Sequence, residues 1–82
     1  MKESLNMRIK QVAANIRKIR EYRNYTQEYL AAKLSISQNA YSKIELGYTR
    51  ITVDRLFQVA DILGVDVLEI ISTEQFRALQ LV

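Results

Sequence analysis

Four short stretches of this chain repeat apolar residues at three- and four-residue steps, and each stretch directly follows a residue that can cap a helix. The spacing is typical of one apolar stripe along an α-helix and differs from the alternation expected of a strand. A Ser, Thr or Asp side chain in the preceding position accepts a hydrogen bond from the unpaired amides of the first helical turn. The candidate caps are Thr26, Ser37, Thr52 and Asp66. These features predict an all-α fold.

A further apolar stripe, in residues 7–23 ahead of the four capped stretches, brings the predicted number of helices to about five. Asn24 and Gly64 are suited to end two of them, because both residue types tolerate the left-handed conformation that commonly follows a helix. The helices are predicted over residues 7–23, 27–34, 37–46 and 53–63 and from residue 67. On the fourth helix, the residues expected to face the core are Val53, Leu56, Phe57, Ala60 and Leu63.

The length of the chain, 82 residues, suits one compact bundle. We place a single domain at residues 1–71 and a C-terminal tail at residues 72–82. The first six residues lack the apolar segment of a signal peptide, and no apolar run is long enough to cross a bilayer. We therefore expect a cytoplasmic protein with no membrane partner.

The charges are distributed unevenly along the chain. Residues 1–50 contain ten Lys or Arg and four Glu, whereas residues 51–82 contain two Arg and five Asp or Glu. A basic half joined to an acidic half is typical of a protein that presents one face to a polyanion. The alternative is a soluble surface with no such partner, because charge alone does not distinguish the two.

Composition argues against several kinds of chemistry. The chain contains no Cys and no His, which removes the usual ligands of zinc and the possibility of a disulfide. It also lacks a Gly-rich phosphate-binding loop, and four carboxylates of its second half fall at helix starts or on exposed faces: Asp54, Asp61, Asp66 and Glu69. We therefore expect no catalytic residues, no metal site, no cofactor and no enzymatic activity.

The segment over residues 26–47 carries the strongest functional signal, because it predicts two short capped helices joined by a tight turn. Projection of the second of these helices places Ala40, Tyr41 and Ile44 toward the core. The opposite face has no carboxylate. Amide side chains there can pair with adenine, Lys can donate to guanine, and Ser can serve either base. That face is formed by Gln38, Asn39, Ser42 and Lys43.

These features resemble the phage-repressor family of helix-turn-helix domains, of the Cro/cI or XRE-like type, from about residue 17 to residue 71. The resemblance rests on Ile19-Arg20, on Thr26-Gln27-Glu28-x-Leu30-Ala31, on Ile36-Ser37-Gln38, on Ser42-Lys43-Ile44-Glu45-x-Gly47 and on Leu63-Gly64-Val65. It implies a lambda-repressor-like fold in which the recognition helix, residues 37–46, enters the major groove of double-stranded DNA. The implied function is that of a small, repressor-like transcriptional regulator.

The resemblance also implies roles for individual residues. Gln38, Asn39, Ser42 and Lys43 match positions that contact bases or nearby phosphates. Arg20 and Glu45 match an internal ion pair, so Arg20 belongs to the scaffold. Gln27 matches a residue that contacts phosphate and supports the first residue of the recognition helix. Together with Gln27, the residues expected at the DNA backbone are Arg17, Lys33, Tyr48, Thr49 and Arg50.

Two positions depart from the family pattern. Ser35 stands where the turn usually has Gly, so we expect it to adopt a positive φ at some cost. Tyr41 stands where Val or Ile is usual inside the recognition helix. If its ring is buried, its hydroxyl requires a hydrogen-bond partner.

The resemblance further implies a homodimer that reads a pseudo-palindromic operator. A single domain of this size covers one half-site, and apolar residues accumulate in the acidic half of the chain. We expect the dimer interface to be formed by Val59, Ile62, Val65, Ile70, Phe76 and Leu79.

Three alternatives to a simple repressor stay open. Two keep the DNA-binding fold and add a dedicated role, as the antitoxin of a toxin–antitoxin pair or as the controller of a restriction–modification system. The third is a protein–protein adaptor that has lost DNA binding. The polar face of the third helix and the basic half of the chain argue against the adaptor.

Overall fold

A computed structural model describes residues 2–72, and within that range the chain forms five helices and no strands. The helices are α1 (Lys2–Tyr22), α2 (Gln27–Leu34), α3 (Gln38–Glu45), α4 (Val53–Leu63) and α5 (Val67–Ile71). The prediction of an all-α bundle of about five helices is confirmed. Helix α1 begins five residues earlier than the apolar stripe indicates, because residues 2–6 contain no helix-breaking residue and Glu3 in the first turn interacts favourably with the helix dipole.

Each helix from α2 to α5 begins at a side-chain cap. The capping residues are all in the extended conformation, and each accepts a hydrogen bond from an amide in the first turn at 2.9–3.3 Å. Because these bonds satisfy amides that have no partner inside the helix, they fix where the short helices start. The pairs are Thr26 with Tyr29, Ser37 with Ala40, Thr52 with Arg55 and Asp66 with Leu68.

The core lies where all five helices meet. Its fully buried side chains come from every helix, and α1 contacts α3, α4 and α5 along its length. Helices α2 and α3 pack closely on each other, with Ala31 of α2 allowing the approach. The largest fully buried residues are Ile16, Leu30, Tyr41, Val59, Leu63 and Ile70.

The orientation of α4 differs from the prediction. Val53 and Phe57, expected in the core, are 70% and 54% exposed, whereas Val59, expected at the dimer interface, is completely buried. Seven of the eleven residues of α4 are apolar, so its apolar residues extend around most of the helix. Periodicity alone therefore cannot identify which side faces the core.

A second expectation about the dimer interface requires correction. Ile70 is completely buried in the protein's own core, so it has no surface to offer a second copy. Ile62 and Val65 are half-buried against that core and keep part of their surface accessible. Phe76 and Leu79 lie outside the described residues.

A buried asparagine connects the first helix to the end of the last helix. Asn15 of α1 donates through Nδ2 to the carbonyl oxygens of Ile70 and Ser72, both at 2.8 Å, and its Oδ1 accepts from Gln11 at 3.0 Å. A helix of five residues is too short to persist in water by itself. Helix α5 therefore depends on α1 both for packing and for partners of its last carbonyl groups.

None of the helices in residues 2–72 combines the length and the apolar character needed to cross a membrane.

Two non-glycine residues adopt the left-handed conformation, at the ends of α1 and α2. Asn24 has φ 62° and Ser35 has φ 59°. Both amides donate back into the preceding helix: Asn24 bonds to Glu21, and Ser35 bonds to Ala32. Asn tolerates this conformation with little strain, whereas Ser gains no comparable compensation. The strain predicted at the turn therefore falls on Ser35.

We expect Ser35→Gly to increase the free energy of unfolding by about 0.5–1 kcal/mol, because glycine removes the left-handed strain but loses more chain entropy on folding. Thermal unfolding measures this as a rise of a few degrees in Tm. Asn24→Gly is the matched control, and it should give a smaller gain. A decrease in Tm for Ser35→Gly would contradict the assignment of strain to this position.

Candidate nucleic-acid interface

The turn between α2 and α3 comprises residues 35–37 and is closely defined by hydrogen bonds. The amide of Ile36 donates to the carbonyl of Ala31 at 3.0 Å, and the amide of Ser35 donates to Ala32 at 3.1 Å. Ser37 then caps α3. Arg55 of α4 adds a further contact by donating through Nη1 to the carbonyl of Leu34 at 3.2 Å. This role of Arg55 was not predicted, because nothing local in the sequence marks a partner 21 residues away.

The outer face of α3 is polar and free of carboxylates. Gln38, Asn39 and Lys43 are exposed, and Ser42 is half-buried at the edge of the same surface. The only acidic residue of α3, Glu45, is buried. Exposed amide groups and a lysine on one face of a short helix have the donors and acceptors that base edges require in the major groove.

The inner face of α3 is formed by Tyr41, Ile44 and Glu45, all of them buried. Ala40, which was expected to face the core, is exposed instead. It lines an open groove with Ile36 and Arg55. Compared with the prediction, α3 is rotated about its axis so that its larger side chains contact α1 and α2, and Ala40 faces the groove.

A hydrogen-bonded network around Glu45 holds α3 in place. Arg20 binds the Glu45 carboxylate with two hydrogen bonds, from Nε to Oε2 at 2.6 Å and from Nη2 to Oε1 at 3.0 Å. Gln27 donates to Oε1 at 3.1 Å, and the hydroxyl of Tyr41 donates to Oε2. Arg20 also donates through Nη1 to the carbonyl of Tyr25 at 2.8 Å. The last turn of α3 is thereby attached to α1, to α2 and to the segment between them.

The pKa shifts in the network keep Glu45 and Arg20 charged and keep the hydroxyl of Tyr41 protonated. Burial tends to raise the pKa of Glu45, but hydrogen bonds from Arg20, Tyr41 and Gln27 outweigh it, so the pKa lies below its ordinary value. The hydrogen bond to Glu45 raises the pKa of Arg20. Burial and the bond to Glu45 raise the pKa of Tyr41 far above 10.0, so its hydroxyl stays protonated.

Gln27 occupies a different position from the one expected. The sequence assigned it to the first residue of α3 and to phosphate, whereas in the structure its side-chain nitrogen bonds to Glu45 in the last turn of α3. It is half-buried. Its contribution to the site in the free protein is therefore to orient α3 through the buried carboxylate.

The loop after α3 projects three of the residues expected at a DNA backbone. Tyr48, Thr49 and Arg50 are all exposed, and Tyr48 keeps 75% of its surface accessible. The loop begins with two bonds back into α3, from the amide of Gly47 to Ile44 at 3.1 Å and from the amide of Tyr48 to Lys43 at 3.0 Å. The start of this loop is thus fixed relative to the polar face.

Two other residues expected at the DNA backbone make local contacts in the free protein. Arg17 pairs with Glu21 one turn along α1, at 3.6 Å between Nε and Oε2. The ammonium group of Lys33 lies 5.6 Å from the centre of the Tyr29 ring. Exposed contacts of these kinds contribute about 1 kcal/mol or less, so a phosphate can displace them.

Within residues 2–72, no group of three or more acidic, His or Cys side chains is arranged to hold a metal ion. The ionisable side chains around Glu45 support α3 through the hydrogen bonds described above.

A family model described as helix-turn-helix matches residues 16–70, from the second half of α1 to α5. No curated protein and no solved structure matches the chain.

We expect Glu45→Gln to lower the free energy of unfolding by about 3–5 kcal/mol at neutral pH, because it leaves the buried charge of Arg20 without a counter-charge. Thermal unfolding should show a decrease of more than about 10 °C in Tm. Glu28→Gln, at an exposed position in the first turn of α2, is the matched control. A Tm close to that of the wild type would mean that the pair contributes little.

The same pair has a defined pH dependence. Because the pKa of Glu45 is lower in the folded protein, its contribution to stability is present above the ordinary value of 4.5 and is lost as pH falls through the folded-state pKa. The difference in Tm between the wild type and Glu45→Gln should therefore narrow in acid. A difference that stays constant down to the acid transition would contradict this origin.

Proposed function

This chain belongs to the helix-turn-helix family of DNA-binding regulators, and we propose that it is a repressor-like transcriptional regulator that reads double-stranded DNA by placing α3 in the major groove. The observation that carries the proposal is the outer face of α3, which is polar, lacks exposed carboxylates and is held from behind by the buried Glu45. A rigid reading surface loses little conformational entropy when it binds.

Base recognition is assigned to four residues of α3. Gln38 and Asn39 lie in the first turn, where a recognition helix approaches base edges most closely, and their amides suit the N6 and N7 atoms of adenine. Lys43 is one turn further along the same exposed face and can donate to guanine. Ser42, being half-buried, reaches only the nearest base or phosphate.

Contacts to phosphate are assigned to residues around that face. The loop residues Tyr48, Thr49 and Arg50 flank the C-terminal end of α3, and Gln27 lies at the start of α2. Arg17 and Lys33 add positive charge on α1 and α2. Such contacts set the register and orientation of a protein on DNA without reading its sequence.

We also propose that the protein binds as a homodimer to a pseudo-palindromic operator. The acidic part of the described chain, α4 and α5, leaves four large apolar side chains between 44% and 70% exposed. The four residues are Val53, Phe57, Leu68 and Ile71. Together with the half-buried Ile62 and Val65 they form the proposed interface, which no longer includes the buried Val59 and Ile70. Such a dimer requires its two recognition helices to lie about 34 Å apart, one turn of DNA.

An antitoxin or a restriction–modification controller would use the same α3 face and differ in what its α4–α5 surface binds. A protein–protein adaptor would not bind DNA at all. A gel-shift experiment with random duplex DNA at low salt separates the adaptor from the other candidates, because non-specific binding depends only on phosphate contacts. Absence of any shift would overturn the proposed function.

We expect Asn39→Ala to relax base preference at one or two positions and to cost about 1–3 kcal/mol on the preferred sequence, because it removes a bidentate contact to a base. Arg50→Ala is the comparison, and it should weaken binding to all sequences alike. Selection of sites from a random DNA pool, followed by affinity measurements on single-base variants, tests both. Full retention of base preference by Asn39→Ala and Gln38→Ala would mean that α3 does not read the bases.

We expect Phe57→Glu to dissociate the dimer, because it places a charge in an apolar interface, where the charge would be buried without a partner. Sedimentation at micromolar concentration should show a dimer for the wild type and a monomer for the variant. Met7→Glu, at an exposed apolar position on α1, is the matched control and should stay dimeric. A monomeric wild type that binds single half-sites as tightly as paired ones would contradict the dimer.

A further inference from the structure

More than half of α1 lies outside the range that the family model matches. The match begins at residue 16, whereas the helix begins at Lys2. The fourteen residues ahead of the match add roughly 21 Å of helix at 1.5 Å per residue. Three of the fourteen are Lys or Arg and one is Glu, so this segment shares the positive character of the DNA-binding half.

This extension passes directly beside the C-terminal end of α3. A Cβ atom on Gly47 would lie 3.2 Å from Cγ of Lys10 and 3.8 Å from Cβ of Ala13, so the stem of Lys10 lies against the residue that ends the recognition helix. Gly47 has φ 77°. The glycine thus serves both the left-handed turn and the close approach of α1.

The extension also contacts the loop after α3. Nη2 of Arg50 donates a long hydrogen bond, at 3.5 Å, to Oδ1 of Asn6. Asn6 and Lys10 are four residues apart and so occupy the same edge of α1. This edge therefore brings the amide of Asn6 and the charge of Lys10 to the loop that contains Arg50.

The charges on this edge favour an anionic partner at its middle. Glu3 and Glu21 lie on the same edge, but they are seven and eleven residues from Lys10, roughly 10 Å and 16 Å along the helix. Glu21 is paired with Arg17. Lys10 and Arg50 are both exposed, and a phosphate can accept hydrogen bonds from an ammonium and a guanidinium group together.

We propose that the edge of α1 that carries Asn6 and Lys10 extends the DNA-binding surface, and that Lys10 binds a backbone phosphate together with Arg50 beside the C-terminal end of α3. This inference rests on the proposed function, because it continues the surface formed by α3 and the loop over residues 48–50. It assigns Lys10 to affinity and register and leaves base preference to α3.

The salt dependence of DNA binding tests the role of Lys10. Lys10→Gln removes the charge but keeps the side-chain carbons that lie against Gly47. Loss of one phosphate contact should reduce the slope of log affinity against log salt concentration by about 0.9 for each protomer bound. Affinity should fall several-fold at low salt for every duplex tested, and the selected base preference should not change.

Arg8→Gln is the matched control. Arg8 is basic, exposed and in the same extension, but two residues from Lys10 it lies about 200° around the helix and so on the opposite edge. Its slope should equal that of the wild type. Equal changes in both variants would indicate a general charge effect and overturn the assignment, as would an unchanged slope in Lys10→Gln. If the wild type itself does not bind duplex DNA, the proposed function fails and this inference fails with it.

Discussion

A carboxylate buried at the end of a recognition helix is costly unless every oxygen lone pair and the charge itself find partners. Glu45 meets that requirement with donors from three places: the guanidinium of Arg20 on α1, the amide of Gln27 on α2 and the hydroxyl of Tyr41 on its own helix. Apolar packing has no preferred direction and tolerates small rotations of a short helix. Hydrogen bonds to a fixed carboxylate do not, because their energy depends on angle as well as distance. The orientation of the outer face of α3 is therefore determined from inside the protein.

The starts of α2 to α5 were predictable because their causes are local. Thr26, Ser37, Thr52 and Asp66 each act within a few residues of themselves, and Asn24 and Ser35 take left-handed conformations for reasons visible in the adjacent residues. The family match then supports the same fold over residues 16–70. The assignment of individual bases and phosphates to side chains stays a prediction.

The features that sequence reasoning missed depend on contacts between distant residues. The direction of α4 depends on which of its many apolar residues meet α1 and α5, so Val59 was placed outside and Phe57 inside. The bonds of Asn15 to α5 and of Arg55 to α2 join residues 21 to 57 positions apart. A polar residue beside an apolar stripe gives no signal of such a partner. The family resemblance implied that Gln27 of α2 supports the first residue of α3. Its side-chain amide instead reaches Glu45 in the last turn of α3.

The hydroxyl of Tyr41 makes the residue at position 41 depend on the residue at position 45. Tyr41 is completely buried, and its hydroxyl donates a hydrogen bond to Glu45. An aliphatic residue at position 41 removes a donor from the carboxylate, and an apolar residue at position 45 strands the phenol. The dependence is one-sided, because Glu45 keeps Arg20 and Gln27 as donors when position 41 is aliphatic, whereas a buried phenol at position 41 loses its acceptor when position 45 is apolar. Among relatives of this chain, a tyrosine at position 41 should therefore occur together with a hydrogen-bond acceptor at position 45.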